Sequence, residues 1–390
     1  MITRVDAQGF KSFHKAEVDL QRLNVLIGPN AAGKSNLLDL LGLLSSGAIG
    51  SLAAGISARG GFLSLLSAFA GDQTIRVVVH LRPGRPGAKV YGQYEIELGQ
   101  YGYEVAVREE VLQTFSLQPA FIEVPLLRLL GRAQTEAVFY NEETGREDPA
   151  IALKEPAELA ISQVRQPSLY RGPEEVRLQL SLIQVYDPIY PGRFGRPRMP
   201  TVAAPEWILV PDASNIANVL SSRMTDDGFA ADFDRYVKLA FPDFTRIHFR
   251  PDPSGQGKIA PSWHSSNLNR PLNIWELSDG AFKYVCLLAV LLRPLGGATI
   301  CIDEPELGLH PRLVSIVADL LRAAAEDAQV IVTTHSPSLV SQFEPDQVIV
   351  VDAPHGQTEF RRLPQPDLSR WLEEFTLGEL MTMGKLEREP

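Results

Sequence analysis

Short apolar runs alternate with polar segments along this chain, and their spacing predicts a mixed α/β fold. Residues Ile2 to Ala7 alternate between apolar and polar, which predicts a strand, and a second short strand is predicted near Ala16 to Leu20. The continuous apolar run Leu23 to Ile27 predicts a buried strand, and Leu37 to Leu44 follows it at helical spacing. The chain therefore begins with two predicted antiparallel strands and a strand–loop–helix unit.

In the next part of the chain, apolar and polar residues alternate with a period of two. Ile75–Leu81, Tyr94–Leu98 and Tyr103–Val107 alternate in this way and predict an antiparallel meander. From residue 111 to about residue 270 the pattern is mixed and rich in proline. Helices are predicted there near three segments: Leu126–Leu130, Ile216–Arg223 and Phe229–Phe241.

The last third of the chain is strongly patterned again. Apolar periodicity predicts two helices, Phe282–Leu292 and His310–Ala325, and continuous apolar runs predict the buried strands Ala298–Ile302 and Val330–Thr334. The remaining predicted elements are a strand at Gln347–Val351, a hairpin partner near Phe360, and short helices at Leu368–Phe375 and Gly378–Met383.

Composition adds limits to this picture. The 390 residues are 45% hydrophobic and 22% charged, with a net charge of −10, which argues against nonspecific nucleic-acid binding over the whole surface. Met1 to Asp6 lacks the pattern of a signal peptide, and no apolar run approaches the length of a membrane span. Cys286 and Cys301 lie in apolar runs, which indicates reduced core thiols. We expect a cytoplasmic protein without a membrane partner.

The loop between the first buried strand and its helix fits G-x-x-x-x-G-K-[ST], the phosphate-binding P-loop. Its glycines let backbone N–H groups turn inward, and the helix N-terminus adds to this anion cradle. Lys34 is expected to reach the β- and γ-phosphates, and the Ser35 hydroxyl to bind Mg²⁺. The predicted nucleotide-binding residues of this segment are Gly28, Asn30, Ala31, Gly33, Lys34, Ser35 and Asn36.

Acidic residues follow a second buried strand. Asp303 directly follows the run Ala298–Ile302 and is expected to hold the Mg²⁺ hydration shell beside Ser35. Glu304 comes next, where a carboxylate can accept a proton from a water that attacks the γ-phosphate. His335 ends the neighbouring strand, and its imidazole can sense that phosphate. We therefore predict Glu304 and His335 as catalytic residues, and ATP and Mg²⁺ as cofactors.

Ser278 stands at the N-cap of an apolar helix, with Gly280 two positions later. A free helix N-terminus with a hydroxyl group forms another anion site, although a Ser in this position is most often an ordinary cap. A second phosphate site in one chain is redundant unless it serves a different ATP molecule. The pattern therefore predicts a head-to-tail pair in which Ser278 and Gly280 contact the partner's nucleotide.

These motifs resemble ABC-type ATPases, and within them the RecF/SMC-like heads rather than transporter subunits. Gly9–Phe13 resembles the N-terminal strand motif of that branch, Leu277–Gly280 its signature, Asp303–Pro311 its Walker B and D-loop, and Thr334–Pro337 its switch-histidine motif. The chain is most similar to the stand-alone "predicted ATPase" group of RecF-like proteins, which Asp212–Leu220 also resembles. The likeness covers both ends of the chain well and the middle thinly.

The resemblance implies an α/β ABC-type P-loop ATPase head with an antiparallel β subdomain and a partly helical second lobe. It implies a homodimer with two ATP molecules in its interface. Arg59 is then a candidate for the arginine that such heads place near the γ-phosphate, although a solvated loop arginine is the simpler interpretation. The glutamine of the Q-loop has three candidates in this sequence: Gln73, Gln93 and Gln113.

We expect residues 1–110 and 271–390 to form the two parts of the ATPase core, and residues 111–270 to form an inserted, partly helical lobe. About 55 residues follow His335, which is too few for the metal nuclease domain of related nucleases. The leading hypothesis is an ATP hydrolase that acts as a homodimeric clamp or switch in DNA repair, DNA maintenance or defence against foreign DNA. The alternative is an ATP-dependent regulatory module that scaffolds a separate effector protein, with little DNA role of its own.

Arginines cluster in the irregular segment Tyr186–Pro200. Arg193, Arg196 and Arg198 occur there with no acidic residue after Asp187. A solvated loop and a nucleic-acid contact both fit this pattern. If the protein binds DNA, these residues are the predicted contact.

Overall fold

The structure is a computed structural model, and it describes most of the chain. The described residues are 1–69, 71, 73–82, 90–101, 104–117, 123–164, 166–187, 199–251, 257–363, 371 and 374–386. The arginine loop 193–198 lies outside them, as does most of the helix predicted at Leu368–Phe375.

The strands and helices follow the apolar pattern closely at both ends of the chain. The strands are β1 (Ile2–Phe10), β2 (Phe13–Asp19), β3 (Leu23–Ile27), β4 (Thr74–Leu81), β5 (Val90–Tyr101), β6 (Glu104–Leu117), β7 (Glu123–Ala133), β8 (Glu136–Asn141), β9 (Arg146–Glu147), β10 (Ile151–Ala152), β11 (Ile183–Tyr186), β12 (Thr201–Val202), β13 (Phe244–Pro251), β14 (Lys258–Ser265), β15 (Leu272–Asn273), β16 (Thr299–Asp303), β17 (Gln329–Thr333), β18 (Val348–Asp352) and β19 (Glu359–Arg362). The helices are α1 (Lys34–Ala48), α2 (Leu52–Ala58), α3 (Phe62–Leu65), α4 (Arg171–Ser181), α5 (Ile216–Arg223), α6 (Asp227–Ala240), α7 (Asp279–Leu291), α8 (Pro311–Asp327), α9 (Pro337–Val340) and α10 (Leu377–Thr382).

Over the described residues, the predicted motifs lie on a sheet of six strands. Its strand order is β11-β16-β17-β3-β18-β19, and every neighbouring pair is parallel except the hairpin β18–β19. Strand β3 is buried along its whole length, because both faces of this sheet are covered. Leu23, Val25 and Ile27 face the core that contains α7 and α8, whereas Leu26 faces the core that contains α1. The predicted α/β class is confirmed.

The predicted meander belongs to a larger antiparallel sheet. Over the described residues its order is β10-β8-β7-β6-β5-β4-β1-β2, with β9 paired to β8. Strand β6 runs from Glu104 to Leu117 and crosses residue 110 without interruption. The core formed by α1 packs between this sheet and the parallel sheet, since one cluster joins residues of both, such as Val77 and Ile331.

The helix predicted near Leu126–Leu130 is wrong. This segment lies in β7, which pairs with β6 and β8. Leucine has a high intrinsic helix propensity, but Leu130 is fully buried in the antiparallel layer and pairs directly with Phe139 of β8. Cross-strand packing therefore overrides local propensity in this segment.

The middle of the chain also supplies a smaller antiparallel sheet, with β14 paired to β12, β13 and β15. The predicted helices Ile216–Arg223 and Phe229–Phe241 are confirmed as α5 and α6. Both pack in the core of α7 and α8, with Phe233 and Leu220 fully buried. The helix α7 that follows the signature segment thus lies between this layer and the parallel sheet.

Candidate functional site

The P-loop joins β3 to α1 at the carboxyl edge of the parallel sheet. Gly28 has φ 145° and Gly33 has φ 107°, a left-handed region that favours glycine. A Cβ atom on Gly28 would lie 2.0 Å from the carbonyl oxygen of Val351, and one on Gly33 would lie 2.2 Å from Thr358 Oγ1. Both glycines of the motif are therefore required by close approach as well as by backbone conformation.

Two hydroxyl groups from distant parts of the chain hold this loop. Thr358 Oγ1 donates to the carbonyl oxygen of Ala32 at 2.7 Å and lies 2.7 Å from Ser12 Oγ. Asn36 Nδ2 donates to the same Ser12 oxygen at 2.7 Å. Thr358 and Ser12 were not predicted as site residues, because they are remote in sequence and only the β18–β19 hairpin and the β1–β2 turn bring them to the loop.

Lys34 begins α1 and is 5% exposed. Its ammonium group donates to the carbonyl oxygens of Gly28 and Pro29, both at 2.8 Å. The predicted residues Asn30 and Ala31 form the exposed rim of the loop, and Ala31 has φ 63°. The cation of the motif is thus held inside the curl of the loop, where an anionic ligand would lie.

The hydroxyl of Ser35 and the carboxylate of Asp303 meet across the sheet edge, as predicted. Ser35 Oγ lies 3.4 Å from Asp303 Oδ2, and Thr333 Oγ1 donates to Asp303 Oδ1. Asp303 ends β16 and is directly paired with Thr333 of β17. A hydroxyl and a carboxylate oxygen are hard donors of the type that Mg²⁺ prefers, so this pair fits that ion.

Glu304 and His335 also face each other at this edge. His335 Nε2 lies 3.8 Å from Glu304 Oε1, and the two side chains are 35% and 28% exposed. Glu304 has φ 45°, in the left-handed region that costs a residue with a side chain roughly 1–2 kcal/mol. Its backbone N–H donates to the carbonyl oxygen of Thr333 at 3.0 Å, which helps to hold this conformation.

The signature segment begins α7 as predicted. Ser278 is the N-cap, and its Oγ accepts a hydrogen bond from the N–H of Ala281 at 3.3 Å. Gly280 packs against the segment after Walker B, where a Cβ atom on it would lie 2.7 Å from the carbonyl oxygen of Gly308. The start of α7 is therefore in direct contact with the turn that carries Glu304.

Lys283 strengthens this contact and was not predicted. It is 4% exposed, and its Nζ donates to the carbonyl oxygens of Glu304 at 2.7 Å and Leu307 at 2.9 Å. Burial lowers the pKa of Lys283 to about 8. A lysine inside an apolar helix is the sequence signal that could have indicated such a role, since an unpaired buried ammonium group is costly.

A half-buried glutamate lies in the same turn. Glu306 Oε1 accepts a hydrogen bond from Thr334 Oγ1, whereas its Oε2 atom is buried with no hydrogen-bond partner among the described residues. Burial raises the pKa of Glu306. The turn from Glu304 to Leu307 is thus held by side chains from two different elements, α7 and the end of β17.

Arg59 follows α2 and contacts Asp39 of α1. Its Nε donates to Asp39 Oδ1 at 2.5 Å, its Nη1 donates to the carbonyl oxygen of Gly55 at 2.9 Å, and Lys11 Nζ donates to Asp39 Oδ2. These groups line a cleft that also includes Ser35. The structure therefore places Arg59 in a cleft beside the P-loop helix, with its guanidinium group paired to Asp39.

The three candidate Q-loop glutamines are not among the residues that line this cleft beside the P-loop helix. Gln93 and Gln113 are paired on β5 and β6, and Gln73 precedes β4. On the side of β16 away from β17 lies β11, and it is followed by Asp187, which lines the same cleft as Ser35. Desolvation and the neighbouring carboxylates of Asp303 and Asp39 raise the pKa of Asp187.

Two sequence models of protein families match this chain. Residues 1–115 match the family described as "AAA ATPase domain", and residues 196–341 match that described as "AAA domain, putative AbiEii toxin, Type IV TA system". The first match contains the P-loop, and the second contains the signature segment, Asp303, Glu304 and His335. Both matches imply ATP binding.

Solved SMC heads share the fold. The SmcHead bound to the C-winged helix domain of ScpA has a TM-score of 0.55 at 15% identity, over 94% of this chain and 99% of that one. The Smc head domain with an extended coiled coil, bound to the C-terminal domain of ScpA and derived from Pyrococcus furiosus, has a TM-score of 0.54 at 14% identity, over 96% of this chain and 98% of that one. At such identities the likeness is one of fold.

Fold, motifs and family matches together support the class of RecF/SMC-like ABC-type ATPases for this chain. The chain thus contains two regions that match AAA ATPase domain models, within a fold that it shares with SMC heads. In the described part of the chain, no helix combines the length and the apolar character needed to cross a bilayer.

Proposed function

We propose that this chain is a Mg²⁺-dependent ATP hydrolase that works as a homodimeric, ATP-gated clamp or switch in DNA repair, DNA maintenance or defence against foreign DNA. One observation carries the proposal: a hydroxyl–carboxylate pair and a carboxylate–imidazole pair share one edge of the parallel sheet. Ser35 lies 3.4 Å from Asp303, and Glu304 lies 3.8 Å from His335. The proposal includes a cytoplasmic location. It also includes the division of the chain into an ATPase core, residues 1–110 and 271–390, and an inserted lobe, residues 111–270.

Different residues at this edge have different roles in the proposed reaction. The loop from Gly28 to Gly33 and the ammonium group of Lys34 bind the phosphates, and Ser35 and Asp303 hold Mg²⁺. The ion, when bound, supplies positive charge to the β- and γ-phosphates. Glu304 accepts the proton of the attacking water, since it follows the metal ligand and its strained backbone turns it away from the strand.

A shared site follows from the second anion-binding feature. Ser278 caps a 13-residue helix, and a helix N-terminus can bind an anion, whereas the P-loop and Lys34 are proposed to bind the phosphates of their own chain's nucleotide. We propose that Ser278 and Gly280 contact the γ-phosphate held by the partner's P-loop. Arg59 lies in the cleft beside Ser35 of its own chain, and we propose that it reaches the γ-phosphate of that chain's nucleotide after it leaves Asp39.

The test is ATP hydrolysis measured with and without duplex and single-stranded DNA at several salt concentrations. We expect slow hydrolysis that requires Mg²⁺ and rises when DNA is added. Hydrolysis that DNA leaves unchanged would contradict the DNA part of the proposal, and absence of hydrolysis would contradict the enzymatic part.

A second candidate function is an ATP-dependent scaffold for a separate effector protein. It is favoured by the two SMC-head structures of like fold, each of which is bound to a domain of ScpA. In this case a protein partner co-purifies in the presence of ATP, and DNA has no effect on hydrolysis.

A further inference from the structure

The exposed face of strands β13 and β14 carries a cluster of basic side chains. Along β13, Arg246, His248 and Arg250 alternate with partly buried residues and are all exposed. On β14, His264 lies directly opposite Arg246. Because side chains of a strand alternate between its two faces, these four residues share one face of the sheet, here named the basic face.

Packing on the opposite side fixes which residues are exposed. Phe244 and Trp263 face the core, with ring centroids 4.4 Å apart, and Phe241 packs on Trp263 at 5.5 Å. A slip of one residue in the register would move these rings into water and the arginines into the core. The orientation of the basic face is therefore strongly determined.

Arg246 and Arg250 on the basic face form no ion pair with the residues that the structure describes. Exposed arginines elsewhere, such as Arg76 and Arg270, pair with glutamates at 2.6 Å. Desolvation lowers the pKa of His264, and the charges of Arg246, Arg250 and His248 lower it further. Basic groups directly opposite each other destabilise a sheet, and a bound polyanion removes this cost.

We propose that the basic face binds the phosphate backbone of a nucleic acid. This inference rests on the DNA part of the proposed function and adds a contact surface to it. Arg246 and Arg250 are four residues apart on a strand, about 13 Å, over which one strand of B-form DNA carries about four phosphates. The chain as a whole has a net charge of −10, so the positive charge of the basic face is local and contrasts with the rest of the protein.

The composition of the basic face favours nucleic acid over a protein partner. Opposite His248 and Arg250 lie the small residues Ser262 and Ala260, which are 4% and 7% exposed, so the exposed groups of this face are the arginine and histidine side chains. Protein interfaces depend on central apolar or aromatic anchors, whereas a backbone of phosphates is held mainly by cationic groups.

The test compares two doubly substituted full-length proteins. Arg246→Gln with Arg250→Gln removes two charges from the basic face, and Arg146→Gln with Lys154→Gln removes two exposed charges from the edge region of the other antiparallel sheet. The probe is a fluorescent duplex of about 30 base pairs, and its anisotropy is followed between about 50 and 200 mM salt. Thermal unfolding and ATP hydrolysis without DNA verify that each variant is folded.

We expect the wild-type protein and the Arg146/Lys154 control to bind the duplex alike. The basic-face variant should bind at least about tenfold more weakly, and its plot of log affinity against log salt should be shallower by about 2. The inference is overturned if the two variants bind equally, if the wild type fails to bind at the lowest salt, or if a polyglutamate peptide of equal charge binds as well as DNA. Hydrolysis without DNA tests the ATPase separately, so failure of the basic face is distinguishable from failure of the enzyme.

Discussion

The Nζ atom of Lys283 lies 2.7 Å from the carbonyl oxygen of Glu304. This hydrogen bond joins the helix that begins at Ser278 to the residue proposed as the catalytic base. In a shared-site dimer Ser278 serves the partner's nucleotide and Glu304 serves the chain's own. Lys283 therefore links the two sites through one buried side chain, and it is a positioning residue rather than a catalytic one.

Lys283→Met should lower kcat about 10- to 100-fold while ATP affinity changes little, because it releases the backbone of Glu304 without touching the P-loop. Lys283→Arg should restore part of the activity, since it retains a cation that can donate to the same carbonyl groups. Steady-state kinetics and an ATP binding titration check this. The exposed Lys238→Met on α6 is the control, and an equal loss in both variants would contradict the positioning role.

Glu304→Gln should retain ATP binding and lose hydrolysis by about 10²–10⁴-fold, since the shape is kept while the proton acceptor is removed. The variant should accumulate as an ATP-bound dimer, which light scattering after gel filtration detects. Glu326→Gln, an exposed position on α8, should behave as wild type. Wild-type turnover in Glu304→Gln would remove that residue from the catalytic role.

Gly280→Ala should destabilise the protein by about 1–3 kcal/mol, because overpacking against a backbone atom forces α7 away from its neighbour. The added Cβ atom would lie 2.7 Å from the carbonyl oxygen of Gly308. A Cβ atom on Gly296 meets nothing within 4 Å, so Gly296→Ala is the matched control. Denaturant unfolding of both variants measures the difference, and equal stability would show that the contact of α7 with Gly308 is not close.

Glu306→Gln should increase the free energy of unfolding at neutral pH by about 1 kcal/mol or more, because it keeps an acceptor for Thr334 and replaces a desolvated carboxylate with a neutral amide that is less costly to bury. The folded-state pKa of Glu306 is raised above its unfolded value. Wild-type stability is therefore lost as pH rises from about 4.5 through that folded pKa, and the gain from the substitution grows over the same window. Unfolding curves of both proteins between about pH 4.5 and pH 8 test this. If the stability gained by Glu306→Gln becomes smaller as pH rises, the prediction is contradicted.

Much of the fold was predictable because buried parallel strands have a simple sequence pattern. The runs before Gly28 and Glu304 are continuous and apolar, and each became a strand of the central sheet. The helix predicted at Leu126–Leu130 failed because leucine suits both a helix and a buried strand, and only pairing with β6 and β8 decides between them.

The motif residues were predictable, but their supports were not. The pairs Ser35–Asp303 and Glu304–His335 follow from strands whose carboxyl ends meet at one edge. Thr358 reaches the P-loop from a hairpin more than 300 positions away. The apolar helix around Lys283 signals a buried ammonium group, but it does not show which carbonyl groups that lysine binds. Long-range topology sets these contacts, and a local pattern cannot encode them.

The central claim is that each ATP site is shared between two chains, and mixing two inactive variants tests it most directly. Ser278→Arg fills the space that the partner's phosphate must enter but leaves the P-loop of its own chain intact. Lys34→Ala removes the cation that donates to Gly28 and Pro29 and should abolish nucleotide binding in its own chain. In a mixed dimer, one site combines the intact Lys34 of the first chain with the intact Ser278 of the second, and the other site carries both substitutions.

The measurement is ATP hydrolysis by the mixture against each variant alone, with mixed dimers quantified by two different affinity tags. The account predicts that each variant alone is inactive and that the mixture recovers hydrolysis in proportion to the mixed dimer present. A site contained within one chain could not recover in this way. Inactivity of the mixture, with mixed dimers present and a dimer of one wild-type and one Lys34→Ala chain active, would contradict the shared site.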